Sequence, residues 1–483
     1  MSDQDNKIVK AAKWSTITEV VAKLITPITS MALARLLAPE AFGVVVTLTM
    51  VITFAEIFTD AGFQRYLVQH EFKDEEDYIQ STNVAFWSNL SLSLFIWLII
   101  GIFSGQLATM VGNPNMGHVL TIACISIPIA AFSSIQMAIY KRELDFKTLF
   151  KVRIIGICVP LVVTVPLAFF LKNYWALVIG TIVGNIVNAV ILTLYSKWKP
   201  AFYYSFSKLR EMLSFTIWSV VEAISIWLTN YVDVFIISVY LSEYYVGLYK
   251  TSITIVGQIT GIITSATIPI LFSSLSRLQA DDKSLFQLFF RFQRIVGLLV
   301  IPLGVGIYCF RSVFTELFLG AQWSEASEFI GLWGLTSSIT IPLSYYCTEI
   351  YRAKGNVRLS VWAQWIHILI LWPALIVSVK YGFEMLYTSR ALIRLTTVII
   401  NFVIMYVVFK ISPMKMIKNV VVSCSAAFLM ALASYGLSLL DTSMLWSLVS
   451  IAICIFVYLG VILCFPQERK DLLYLFVNLK SKI

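Results

Sequence analysis

The chain is 483 residues long, 59% hydrophobic and only 13% charged, with a mean hydropathy of +0.83. Water-soluble proteins carry about 25% charged residues, so this composition excludes a soluble globular enzyme. The formal net charge of +9 points to membrane-flanking loops rich in Lys and Arg, not to nucleic acid.

Apolar runs of 18 or more residues recur along the chain, which predicts an all-α integral membrane protein. The runs are continuous, without the alternation of a β-barrel. In chain order the predicted spans are 14–36, 41–63, 82–104, 117–140, 152–171 and 175–196. After a basic connection come 212–240, 246–271, 289–310, 328–350, 358–379 and 386–409, and then 416–438 and 444–465. That makes about fourteen transmembrane helices. The polar stretch Met1–Lys13 leads directly into the first, and no cleavable signal peptide is expected. With the N-terminus cytoplasmic, most of the 36 basic residues fall in segments on the cytoplasmic side, so both ends are expected there. Outer connections are short. Inner ones, at 70–78, 140–151, 202–212 and 273–288, are partly amphipathic and predict elbows on the membrane surface.

The chain carries a repeat. An ungapped shift that lays Trp14-Ser15 on Trp218-Ser219 also lays Leu37 on Leu241, Gly43 on Gly247 and Thr47 on Thr251. Two helical-hairpin corners then coincide, Leu37-Ala-Pro-Glu-Ala-Phe-Gly43 and Leu241-Ser-Glu-Tyr-Tyr-Val-Gly247. The shift covers an even number of helices, which gives two halves of parallel topology. The expected architecture is two pseudo-symmetric six-helix lobes, 1–200 and 201–411, followed by two further helices and a cytoplasmic tail in 412–483.

Ionisable residues at bilayer depth cost about 2.5–3.5 kcal/mol each on insertion scales and usually face a cavity or a partner. The candidate cations are Lys23, Arg35, Lys250, Arg390 and Arg394. The candidate carboxylates are Glu56, Asp60, Glu222 and Asp233. Arg390 and Arg394 are four apart and share a helix face. Together these residues are expected to line a polar cavity. Its cations would suit a diphosphate or acidic sugar, and its carboxylates a coupling proton or sodium ion. Against that stand snorkelling of Arg35, Glu56 and Asp60 at span ends, and a simple i,i+4 pair between Glu19 and Lys23. Trp87, Trp97, Trp175, Trp198, Trp323, Trp333 and Trp446 fit an interfacial aromatic belt. Trp218 and Trp227 lie deeper, where packing is favoured over stacking on a sugar. Pro27, Pro128, Pro160, Pro166, Pro269, Pro302, Pro342 and Pro373 predict kinks.

The sequence has no P-loop, GxGxxG, HExxH or GxSxG motif. Its three histidines are scattered, and its seven cysteines form no CxxC pair and read as small buried hydrophobes. No catalytic residue, metal or cofactor is expected.

Several segments carry a family resemblance: Ala34–Gly43, Phe58-Thr-Asp-Ala-Gly-Phe-Gln64, Arg142-Glu-Leu-Asp-Phe-Lys147, Asn230-Tyr-Val-Asp233 with Val246-Gly-Leu-Tyr249, Phe318-Leu-Gly-Ala-Gln-Trp-Ser-Glu-Ala326 and Arg352-Ala-Lys-Gly-Asn356. In that order they resemble the Wzx-type polysaccharide exporters of the MOP superfamily, nearest in look to the colanic-acid and teichuronic-acid group. The resemblance implies a MATE-like fold. It also implies a flippase that moves undecaprenyl-diphosphate-linked oligosaccharide to the outer leaflet of the bacterial inner membrane by alternating access, for surface polysaccharide synthesis. Arg35 matches by its place in the hairpin signature and Asp233 by a recurrent Asp of the seventh helix. Lys23, Lys250, Arg390 and Arg394 lie outside the matching motifs. The implied partners are the lipid-linked oligosaccharide, bilayer lipid and a polysaccharide polymerase with its export machinery. Nucleic acid is not implied, and a monomer is expected. The alternatives are a lipid II flippase, a MATE-like drug or cation antiporter, or an enzyme such as a membrane polymerase or ligase. The enzyme would need a sizeable outer loop that this chain lacks.

Overall fold

The computed structural model describes residues 3–60 and 62–472, and every regular element among them is helical. In hydrocarbon, a helix satisfies its backbone groups within one segment, as the long apolar runs require. The chain divides into two compact units, Met1–Lys250 and Thr251–Ile483.

The first unit holds α1 (Asp3–Leu36), α2 (Pro39–Asp60), α3 (Phe63–Gln69), α4 (Glu75–Ile102), α5 (Ser104–Met110), α6 (Gly117–Ala123), α7 (Ser126–Arg142), α8 (Phe146–Val159), α9 (Val165–Leu171), α10 (Trp175–Tyr195), α11 (Phe206–Tyr240) and the start of α12 (Glu243–Arg277). The second holds the rest of α12, then α13 (Asp282–Cys309), α14 (Arg311–Phe318), α15 (Ser327–Thr340), α16 (Cys347–Ala353), α17 (Val357–Ser378), α18 (Phe383–Ile393), α19 (Thr396–Val407), α20 (Pro413–Lys418), α21 (Val421–Ser438) and α22 (Met444–Leu463).

Twelve helices among the described residues are long and apolar enough to cross a membrane. The expected count of fourteen is not confirmed: spans 14–36 and 328–350 are helical but fall outside the twelve. Both are polar. The first carries Glu19, Lys23 and Arg35. The second carries Thr336, Ser337, Ser338, Thr340, Ser344 and Glu349 and is split by a π-turn, Ile341–Tyr345. A matching π-turn, Pro160–Thr164, separates α8 from α9. Each sits at a proline, which withholds a backbone donor and widens the turn. Pro27, Pro269, Pro302 and Pro373 instead lie inside unbroken helices. Three other predicted spans are interrupted, 117–140 between α6 and α7, 386–409 at Arg394-Leu395 and 416–438 at Asn419-Val420.

Between lipid-embedded helices the apolar medium removes the hydrophobic drive, so close packing of small residues takes over. The hairpin corners use this. A Cβ on Gly43 would lie 1.7 Å from the carbonyl oxygen of Glu243, and one on Gly247 would lie 2.0 Å from that of Pro39. The shift that lays Gly43 on Gly247 also lays Pro39 on Glu243. The α2–α12 crossing is therefore reciprocal, each glycine seating the backbone that begins the other helix. In the second unit α13 crosses α15 with equal closeness, where a Cβ on Gly304 would lie 2.3 Å from the Gly334 carbonyl oxygen.

The predicted elbows are helix ends and tied turns. The Arg142 guanidinium donates to the carbonyls of Leu67 and His70, both at 2.8 Å, and lies 4.7 Å from the Phe72 ring centre. A cation there closes the C-terminus of α3, where unpaired carbonyls collect. Lys208 pairs with Asp77, and Trp87 donates to the Ala201 carbonyl at 2.9 Å. Asp145 and Asp281 cap α8 and α13. Hydrogen bonds from Ser284 and the backbone hold the Asp281 carboxyl below its usual range.

Candidate functional site

Of the ionisable residues singled out in the sequence, Asp233 and Lys250 come close together in the first unit, and Arg390 and Arg394 in the second.

In the first unit the gathering is built by α2, α11 and the start of α12. Trp227 on α11 donates its indole N–H to the Met50 carbonyl at 3.1 Å and to Thr53 Oγ1 at 3.3 Å. It stacks on Tyr231, one turn further along α11, with 5.8 Å between ring centres. Packing thus accounts for this tryptophan, as the sequence suggested. Lys250 Nζ lies 4.9 Å from the Tyr231 ring centre and donates to the Asn230 carbonyl at 3.1 Å. Asp233 is 4% exposed. Its Oδ2 accepts from the Tyr249 hydroxyl at 2.7 Å and its Oδ1 from the Val234 amide at 2.8 Å. Glu56 is half-buried on α2. Asp233 and Lys250 are thus held by the tyrosines Tyr249 and Tyr231, which sequence reasoning passed over.

The remaining candidates of this unit are placed less centrally. Arg35 is exposed in the last turn of α1, at the negative end of the helix dipole, where a cation is favoured for local reasons alone. Lys23 is half-buried on α1. The side chains of Asp60, Glu222 and Glu19 lie outside the described residues.

In the second unit the gathering is built by α15, its π-turn, α17 and the α18–α19 junction. Arg394 is 8% exposed. It donates from Nη1 to Ser337 Oγ at 2.6 Å and from Nη2 to the Tyr345 hydroxyl at 2.7 Å. Its guanidinium lies 4.2 Å from the Trp333 ring centre, and that of Arg390 lies 5.1 Å from the same ring. The shared face expected from their spacing is realised although the helix breaks at Arg394. His367 on α17, 6% exposed, has Nδ1 3.0 Å from Thr396 Oγ1. Behind them Asn401 donates to Ser344 Oγ at 2.9 Å and accepts from the Tyr351 hydroxyl at 2.7 Å.

Among the described residues no carboxylate pairs with Arg394. Removing a cation from water costs several kcal/mol. Hydrogen bonds to a charged group return about 1.5–3 kcal/mol each, and a desolvated cation–π contact about 2 kcal/mol. The arrangement stabilises the arginine with neutral groups and leaves its charge uncompensated, which suits an incoming anion. Trp333 and Trp323 do not belong to the predicted belt. They are 6% and 0% exposed, and Trp333 lies beneath two guanidinium groups. The sequence signal for this site was the run of hydroxyls from Thr336 to Ser344 beside Pro342. A span this polar has little reason to face lipid.

Residues 32–328 match the family described as "Polysaccharide biosynthesis protein". The chain belongs to this family. It is a multi-pass membrane protein. Over 356 residues it is 24% identical to the succinoglycan biosynthesis transport protein ExoT of Rhizobium meliloti (strain 1021), covering 74% of this chain and 71% of the relative. Over 385 residues it is 20% identical to the lipopolysaccharide biosynthesis protein WzxC of Escherichia coli (strain K12), covering 77% and 75%. Its fold is that of the lipid II flippase MurJ in an inward closed conformation, with a TM-score of 0.75 and 15% identity over 95% of this chain and 99% of that one.

Proposed function

We propose that the protein carries lipid-linked oligosaccharide units for surface polysaccharide synthesis from the cytoplasmic to the outer leaflet of the bacterial inner membrane. The family match supports this reading, and the observation that carries it is Arg394. A buried guanidinium held only by neutral partners is a receptor for an anion such as the diphosphate that joins sugar to polyprenol. Arg390 shares its aromatic platform. Lys250, Lys23 and Arg35 would guide the same charge on approach. Glu56 and Asp233, with Asp60 and Glu222, would take up a coupling proton or sodium ion. In this reading the repeat halves 1–200 and 201–411 alternate in exposing the cavity, 412–483 is an appendix, and both chain ends are cytoplasmic. The reciprocal Gly43–Gly247 crossing joins equivalent corners of the two halves and is suited to act as their pivot. The polyprenyl chain stays in lipid, and export depends on a polymerase that consumes the flipped unit.

Deletion in the source bacterium tests this. Undecaprenyl-diphosphate oligosaccharide should accumulate on the cytoplasmic face, and one surface polymer should be lost. An unaltered polymer with changed drug or cation sensitivity would instead assign the protein to antiport.

A further inference from the structure

We propose that the first unit holds a separate site for a phosphate-bearing polyol headgroup, among α1, α7, α8 and α10. A cavity of about 610 Å³ opens there, within the roughly 300–1,000 Å³ of small-molecule sites. Nothing in the transport reading uses it.

Its walls are chemically graded. At one end stand Lys141 and Arg153. Arg153 is exposed and has no hydrogen-bond or ion-pair partner among the described residues. Lys141 donates only to the Gln64 carboxamide oxygen, at 3.1 Å. Two cations without a carboxylate face one rim. Along α1 the wall carries Thr26, Thr29 and Ser30. Thr29 spends its proton on the Ile25 carbonyl, at 3.3 Å. On the opposite wall Asn188 Oδ1 is buried with no hydrogen-bond partner. A buried acceptor left unmet costs about 1–3 kcal/mol. Gly156 makes room for it, since a Cβ at that position would lie 2.9 Å from the same oxygen. Leu33, Leu149 and Pro160 supply the apolar remainder.

The ligand that answers all three features has an anion for Arg153 and Lys141, a hydroxyl donor for Asn188, and an apolar chain. A phosphate ester of a polyol on a lipid has that chemistry. It has two sources, a glycerophospholipid of the bilayer or a polyprenyl-linked sugar phosphate. The site stands whether or not the transport reading holds, because a resident lipid would occupy it in a carrier of any solute.

The test uses detergent-purified full-length protein and native mass spectrometry. Phosphatidylglycerol and undecaprenyl-diphosphate oligosaccharide are titrated in separate arms, with phosphatidylcholine as the headgroup control. Arg153→Gln should weaken binding of at least one phosphate ligand about tenfold, the scale of one charge-assisted contact. Asn188→Leu should weaken the same ligand comparably, and Gly156→Leu should abolish its saturable binding. Phosphatidylcholine should bind all forms alike. The arm that responds names the source. Unchanged binding of both phosphate ligands to Arg153→Gln overturns the proposal, as does an equal loss of phosphatidylcholine. Arg153 is exposed, so that variant remains decisive if a cavity substitution fails to fold.

Discussion

Each unit places a cation over an aromatic ring, and the two differ in what surrounds the pair. Lys250 lies over Tyr231, partly exposed and on a backbone carbonyl. Arg394 lies over Trp333, buried, on two hydroxyls and with no acid partner among the described residues. The first is partly exposed and open to screening by water and salt, so its removal should disturb little beyond itself. The second keeps an unspent positive charge where the effective dielectric is low and an anion would feel it strongly. If Arg394 holds the substrate, the burial of a charge marks a transport pathway better than the number of intramembrane charges does.

The largest expected effect follows from that contrast. Arg394→Leu should reduce transport by roughly 30-fold or more, the scale of deleting one buried charged contact of about 2–5 kcal/mol. Its unfolding temperature should stay level or rise, because the substitution also removes a desolvated charge. Arg394→Lys keeps the charge but not the two-pronged geometry and should restore only part of the activity. Accumulated lipid-linked oligosaccharide and thermal unfolding in detergent report the two quantities. A sharp fall in unfolding temperature with transport preserved would make Arg394 a structural residue and erase the contrast.

An intermediate effect is expected at the α2–α12 crossing. Gly43→Ala and Gly247→Ala each push a Cβ against a carbonyl oxygen at 1.7 and 2.0 Å. Each should cost about 1–3 kcal/mol of stability, as overpacking does. Both substitutions open the same crossing, so the double variant should lose clearly less than the sum of the singles. Strict additivity in thermal unfolding would mean that the two corners are not one contact.

Much of this was legible before any coordinates. Hydropathy identified the membrane class and twelve of the spans, because a hydrocarbon solvent leaves the sequence little latitude. The shift that matched Gly43 to Gly247 marked them as equivalent positions, but not the contact that each makes with the start of the other's helix. The spacing of Arg390 and Arg394 anticipated their common platform. What escaped was identity at the platform itself. Trp333 read as a belt residue because tryptophan near a span end has that meaning on average. Only the fold shows that α15 is enclosed. Tyr231 and Tyr345 were invisible for a related reason: single hydroxyls in apolar runs carry no periodic signal. The breaks at Arg394-Leu395 and Cys124-Ile125 also left no mark, since neither contains glycine or proline.

The smallest expected effect closes the comparison from its other side. Lys250→Gln removes a partly exposed cation whose contacts are a ring face and one carbonyl. Such a cation–π contact is worth about 0.5–1 kcal/mol, so unfolding should shift by no more than a degree or two for a chain of this size. Transport should fall by a few-fold at most, because the charge helps to steer an anion without holding it. A side chain in that role acts through long-range attraction, so its contribution should shrink further as salt rises and screens it. The contribution of Arg394, shielded from the ions, should not. If Lys250→Gln abolished transport in a folded protein, independently of salt, then burial would be no guide to which cation binds substrate, and Lys250 would hold the anion directly.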